Sequence, residues 1–214
     1  MKEFLRKNWV FPVAIVVGFT GGLLLPVPAA APPVLDASPT VLVKVDGGHG
    51  SGVHIGNGYI VTAAHVVGDS PGAVVKDDTD TSQIGTVLWV NKAYDLALIR
   101  IDRPEMRSAP LVCKPRLTVG DELQAVGNPL SLQFIHTWGR VASYVAERGP
   151  WKSSVIADMA VAPGMSGGPV FDRSGGVVGI VVGTAAVPMG MSASLVPITY
   201  FVPSSAVCGL MARA

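Results

Sequence analysis

The sequence predicts an all-β chain of two six-stranded antiparallel β-barrels with a short C-terminal helix, preceded by an apolar N-terminal segment. Three observations lead there. From Thr40 onward the apolar runs are short, rich in Val and Ile, and bounded by Gly, Pro, Asn or Asp, as strands between turns are. The 25 Gly and 17 Pro are scattered as single breaks, with no repeat and no low-complexity tract. The runs also fall into two equal groups, split by a segment at 102–120 that carries Pro104, Pro110 and Pro115, and that spacing suggests paired barrels.

Lys2, Arg6 and Lys7 stand against the single acid Glu3 at the start of the chain, and residues 8–35 carry no charge. A basic start before an apolar run is an export signature, so the folded part is expected outside the cytoplasm. The apolar stretch at 10–27 is at the lower end of what spans a bilayer and longer than a cleaved signal's core, which favours a retained membrane anchor. Small residues at Val27-Pro28-Ala29 and Ala29-Ala30-Ala31 have the spacing that signal peptidase reads, so a cleaved signal stands as the alternative. The chain is thereby divided into a signal or anchor with its linker (1–33), a first barrel (34–112), and a second barrel with the terminal helix (113–214).

The strands of the first barrel are predicted at 40–45, 51–56, 58–62, 73–76, 83–90 and 96–101. Those of the second are predicted at 121–126, 135–143, 153–157, 168–171, 176–183 and 198–202. A helical turn or two follows Pro203, with Ser204 and Ser205 placed to satisfy its first amides. The 214 residues suit one large domain or two small ones sharing a core. With 16 basic against 15 acidic residues, net charge +1, no surface for a phosphate backbone is implied, and nucleic acid is excluded as a partner.

Three segments carry chemistry. A serine hydroxyl is a weak nucleophile unless a base lies within hydrogen-bond reach and a third group fixes that base's tautomer. Tyr59-Ile60-Val61-Thr62-Ala63-Ala64 ends a strand in small residues just before His65, and Asp95 opens the alternating strand that begins at Leu96. Ala162-Pro163-Gly164-Met165-Ser166-Gly167-Gly168 surrounds a serine with glycines, which free the backbone for a sharp turn and let amides face a developing negative charge. His65, Asp95 and Ser166 are the predicted catalytic residues, and the N–H groups of Gly164 and Ser166 the predicted oxyanion hole. The string from Gly164 to Gly168 also fits the Gly-x-Ser-x-Gly elbow of α/β-hydrolases. That fold needs a histidine after the serine, whereas His49, His54, His65 and His136 all precede Ser166. Neither metal nor cofactor is called for.

With the three segments in the order His, Asp, Ser, the chain resembles the trypsin-like superfamily, and most closely the protease domain of the HtrA family, from about residue 50 to about 207. Gly50-Ser51-Gly52-Val53 with Gly58-Tyr59-Ile60-Val61-Thr62, Val119-Gly120-Asp121, Ala125-Val126-Gly127-Asn128-Pro129, Asp158 and Phe201-Val202-Pro203-Ser204-Ser205 carry the likeness. His65-Val66-Val67 lacks the cysteine that trypsins place there, and Met165 replaces the acid that receives a freed N-terminus in trypsins. The resemblance implies a serine endopeptidase acting on exported or misfolded proteins, without activation by that cut. With the sequence ending at Ala214, the PDZ domain that many HtrA proteins carry is not expected. It also implies a substrate pocket at Ala160, Val161, Val181, Val182, Gly183 and Thr184, apolar and selective for small to medium aliphatic residues. A disulfide between Cys113, in the linker, and Cys208, in the terminal helix, is expected because some trypsins join the same two elements. The competing reading is a catalytically silent barrel kept as a binding or structural module. Protein or peptide substrates are the expected partners, and the sequence carries no signal of oligomeric state.

Overall fold

Strand formation follows the alternation of the sequence. The computed structural model describes residues 38–102, 106–189 and 192–212, all within the compact unit Pro32–Ala214. The apolar segment at 10–27 lies outside the described residues. β1 (Thr40–Val45) turns through Asp46-Gly47, with Gly47 at φ +90°, into β2 (Gly48–His54), the two-residue Asp-Gly loop that suits the twist of a hairpin. β3 (Tyr59–Thr62), β4 (Gly72–Lys76), β5 (Ser82–Asn91) and β6 (Leu96–Arg100) complete a closed barrel in the order β1-β2-β3-β6-β5-β4, β4 pairing back onto β1. Antiparallel closure leaves this barrel without an unpaired edge.

The second barrel contains β7 (Glu122–Gly127), β8 (Ile135–Val141), β10 (Trp151–Met159), β11 (Pro169–Phe171), β12 (Val177–Met189) and β13 (Ser192–Pro203), closed by pairing of β10 with β13. One short strand was not predicted: β9 (Ala146–Arg148) pairs only with the beginning of β10. It is exposed and lacks apolar alternation, so the sequence gives it no period to read. The β12–β13 hairpin also runs further than predicted, because its outer part is a two-stranded ribbon with exposed side chains such as Val187, Met189 and Leu195.

Strand β6 explains how the barrels join. Ala97 and Ile99 fill the first barrel with Val41, Val43 and Ile60, while Leu96 and Leu98 point the other way into the seam, against Phe171, Ile180 and Val202 of the second barrel. A strand buried on both faces reads as a continuous apolar run, and Leu-Ala-Leu-Ile is that run. The second barrel has its own core, around Leu123, Val141, Val155, Val170 and Phe201. Helix α2 (Ser204–Met211) starts after Pro203 as predicted, but no side chain caps it. The Ser204 hydroxyl instead donates to the carbonyl of Val112 in the connecting segment. Cys113 and Cys208 are bonded there with Cα atoms 5.6 Å apart, tying the same segment to α2.

The bond closes a loop with a sequence separation of 95 residues. Reduction, or Cys208→Ser, should lower the unfolding free energy by about 2–4 kcal/mol. Urea denaturation with and without reductant measures it; an unchanged midpoint would mean that α2 is held by packing alone.

Candidate active site

His65 sits on α1 (Ala64–Val67), a single turn that follows β3 and ends at Gly68, φ +56°. Ala63, Ala64, Val66 and Val67 are buried, so the small residues seat the turn and leave His65 as its exposed member. Asp95 ends the β5–β6 turn with φ +54°, in the left-handed region that Asp tolerates better than most side chains. The turn is fixed in part by Asn91 Oδ1, which accepts the N–H of Tyr94 at 3.1 Å. One Asp95 oxygen accepts the backbone N–H of His65 at 3.0 Å, and the other faces His65 Nδ1 at 2.7 Å.

That pair sets the tautomer. An ionised carboxylate only accepts hydrogen bonds, so Nδ1 carries the proton and Nε2 is left as the acceptor. The Asp95 side chain is 13% exposed and that of His65 50%, so the acid is sheltered and the base reaches solvent. The other three histidines are held differently. His54 is buried and accepts the Gly58 N–H, His49 faces the Asn128 carbonyl, and Gln124 donates to His136, whose pKa burial pushes below the ordinary imidazole range.

Ser166 comes from the second barrel on a loop seated against the first. Its carbonyl accepts the Ser51 N–H at 2.8 Å. A Cβ on Gly167, φ +84°, would run into the Ser51 carbonyl and Thr62 Oγ1, and one on Gly164, φ +99°, into the Asn128 carbonyl. Only glycine fits either place. A trans peptide turns its C=O and N–H in opposite directions. Leu130 N–H holds the Pro163 carbonyl at 2.8 Å and Gly168 N–H the Met165 carbonyl at 3.0 Å, so the N–H groups of Gly164 and Ser166 face away from these anchors. Neither has an acceptor among the described residues, whereas the Met165 N–H between them donates to Ala162. Two free, fixed amides flank the serine. Ser166 Oγ makes no hydrogen bond to His65 or to any other described residue; such bonds often tighten only with substrate.

Two residues that the sequence did not single out for a role hold this loop. The Ser51 hydroxyl donates to the Gly164 carbonyl at 2.8 Å and accepts the Asn128 N–H at 2.9 Å. The Asn128 amide in turn reaches the Val41 carbonyl and the Phe134 N–H. Both residues are buried. Of the residues predicted to line a pocket, Val182 lies beside His65 in a cavity of about 510 Å³, with Pro150 and Trp151. Val161 and Val181 pack in the core of the second barrel, Thr184 donates to carbonyls of β13, Trp151 covers Gly183, and Ala160 is exposed.

Two closed antiparallel barrels, one carrying a carboxylate–imidazole pair and the other a glycine-held serine on a loop seated against the first, define the class of protein. The chain belongs to the trypsin-like peptidase family: the Trypsin-like peptidase domain matches residues 50–180. A DegP-like periplasmic serine endoprotease of Brucella suis is 35% identical over 161 residues, covering 73% of this chain and 31% of the relative. Protease Do-like 1, chloroplastic, of Arabidopsis thaliana is 34% identical over 154 residues, covering 68% of this chain and 35% of the relative. The chain therefore spans about a third of the length of these curated relatives. Among solved structures, the HtrA-type protease AlgW with a tripeptide superposes with TM-score 0.72 at 22% identity, over 82% of this chain and 59% of that one. The Rv3671c protease in its inactive form gives TM-score 0.70 at 21% identity, over 83% and 89%. At those identities the likeness is one of fold.

Ser51→Ala should cost about 1–3 kcal/mol, because it leaves the Gly164 carbonyl and the Asn128 N–H buried without their partner. A urea midpoint equal to that of the unaltered protein would show that the network does not hold the loop.

Proposed function

We propose that this chain is a serine endopeptidase, working outside the cytoplasm on exported or misfolded proteins through an acyl-enzyme. The observation that carries the reading is the 2.7 Å Asp95–His65 pair, which leaves Nε2 as an acceptor, together with a serine loop whose Gly164 and Ser166 amides have no acceptor among the described residues. Ser166 Oγ attacks the substrate carbonyl while His65 Nε2 takes its proton, and Asp95 steadies the imidazolium that forms. The oxygen of the tetrahedral intermediate is received by the N–H groups of Gly164 and Ser166. His65 then gives its proton to the leaving amine, and water repeats the cycle on the acyl-enzyme. The two barrels, 34–112 and 113–214, each bring one half of this machinery.

Substrate backbone has a place to pair. β11 pairs with β12 only as far as Ile180, and loop contacts at Gly167 and Gly168 continue to Val181. Beyond that point one edge of β12, at Val182, Gly183 and Thr184, has no strand partner among the described residues, which suits an extended chain added to the sheet. Of the other positions expected to serve the residue before the scissile bond, Ala160 is exposed, while Val161 and Val181 pack in the barrel core and back the site with apolar side chains. The location rests on the basic start before the apolar stretch at 10–27 and on the similarity to a periplasmic relative. That stretch is a membrane anchor if retained and a signal if cleaved.

A fluorophosphonate probe should label Ser166, and Ser166→Ala should abolish both labelling and peptide hydrolysis; a folded protein that is never labelled overturns the reading. Asp95→Asn should lower kcat by about 10⁴-fold through the wrong tautomer. Retention of more than about a tenth of the activity would move the third role elsewhere.

Cleavage profiling of a denatured protein mixture should give cuts after Val, Ala, Ile or Leu. A buried unpaired charge costs several kcal/mol, whereas one methylene changes rates only about 10–200-fold. A majority of cuts after Lys, Arg, Asp or Glu would refute the apolar pocket.

A further inference from the structure

We infer that Trp151 is a positioning and specificity-determining residue of this site: its indole N–H steadies Asp95, and its ring walls an apolar subsite for the second residue before the scissile bond. The inference rests on the proposed roles of His65, Asp95 and Ser166. Trp151 Nε1 donates to Asp95 Oδ2 at 3.3 Å, the same oxygen that faces His65 Nδ1. Asp95 Oδ2 thus has two donors, one from each barrel, and Oδ1 takes the His65 backbone N–H. A carboxylate held from three sides cannot swing away from the imidazole without losing a charge-assisted bond.

The indole is itself fixed. Its ring lies 5.0 Å from that of Tyr200, and the next residue, Lys152, donates its backbone N–H to the Ala93 carbonyl at 2.8 Å, two residues before Asp95. Lys152 Nζ stands 5.9 Å from the centre of the Tyr94 ring, so the start of β10 grips the Asp95 turn on both sides. The ring also covers Gly183: a Cβ there would come 3.0 Å from Trp151 Cζ2 and Cη2. β12 therefore carries no side chain where the indole lies, and the wall that a residue of β12 would supply comes from the first residue of β10 instead.

The cavity this creates is lined by Ala64, His65, Pro150, Trp151 and Val182, with Asp69 and Lys92 at its rim. Adjacent side chains of an extended chain point to opposite faces. If the residue before the scissile bond turns into the pocket beyond Ser166, its neighbour turns toward His65 and the indole. An aliphatic side chain fits that space, and a carboxylate would lie on apolar carbon beside Asp95.

The test uses the full chain, with peptides identical except for Leu, Ala or Asp at the second position before the bond. Fluorophosphonate labelling of Ser166 is measured first; an unlabelled wild type overturns the underlying assignment rather than the role of Trp151. In a labelled wild type, Leu is favoured over Ala and strongly over Asp. Trp151→Ala reduces the Leu-over-Ala preference by about tenfold, without changing the preference at the residue before the bond. Trp151→Phe keeps the wall and loses the donor. It keeps the Leu preference, lowers kcat several-fold with KM little changed, and moves the acid limb of kcat/KM to higher pH. The direction follows from the carboxylate, which holds the His65 imidazolium more tightly once a competing donor is gone. The other charged groups facing this pair or its turn, Asp69, Lys92 and Lys152, are unaltered in both variants. A folded Trp151→Ala with unchanged selectivity, or a Trp151→Phe with an unmoved acid limb, overturns the inference. If Trp151→Ala does not fold, the acid limb of Trp151→Phe decides.

Discussion

The seating of the Ser166 loop on Ser51 is the contact on which the rest of the site depends. Ser51 engages the loop twice, N–H to the Ser166 carbonyl and hydroxyl to the Gly164 carbonyl, and its own carbonyl accepts the Thr62 hydroxyl. Thr62 ends β3 one residue before the cap of the turn that carries His65. Ser166 and His65 come from different barrels, yet a few hydrogen bonds around one buried residue separate their segments. Gly50 shows how close the approach is: a Cβ there would strike Val66, next to His65, and lie 3.0 Å from the Ser166 carbonyl. Buried bonds of this kind contribute little net stability each, but breaking one exposes the full cost of an unpaired group, so the geometry is stiff.

The seam supplies the force that the hydrogen bonds direct. Leu96, Leu98, Phe171, Ile180 and Val202 are buried between the barrels, and each large apolar side chain removed from water is worth about 1.5–3 kcal/mol. That burial is non-directional. It holds the barrels together without specifying their register, and the polar contacts at Ser51, Asn128 and the Lys152–Ala93 bond do the specifying. Asp95 illustrates the balance. Its left-handed backbone is unfavourable for a side chain, and it persists because the carboxylate is bonded to His65 and Trp151.

Legibility in the sequence followed the range of the interaction. Strands of both barrels could be read from alternation and turn residues, because both are properties of a few neighbouring residues. The three chemical segments were legible for the same reason. The pocket positions on β12 were counted from the nucleophile along the trypsin-like pattern, and such a count does not say which face each side chain takes in the strand's alternation. β-Bulges at Val181/Gly183 and Thr184/Ala186 interrupt that alternation. As neighbours on a strand, Val181 and Val182 face opposite sides: Val181 joins the core of the second barrel, and Val182 faces the seam and the cleft. Val161 is buried with Val181 for a related reason: proximity to the serine in sequence says nothing about which face a side chain takes.

The sequence by itself determined the fold class, the export-like start, and the three segments bearing His65, Asp95 and Ser166, because each is written in local composition, period or glycine content. Only the tertiary structure decided what stands around them. Ser51 reaches Gly164 across 113 residues, Asn128 reaches Ser51 across 77, and Trp151 reaches Asp95 across 56. No local rule marks a serine in a strand, an asparagine after one or a tryptophan at the start of another for such work. Their partners are set by where two barrels meet, and that meeting is a property of the packed chain as a whole.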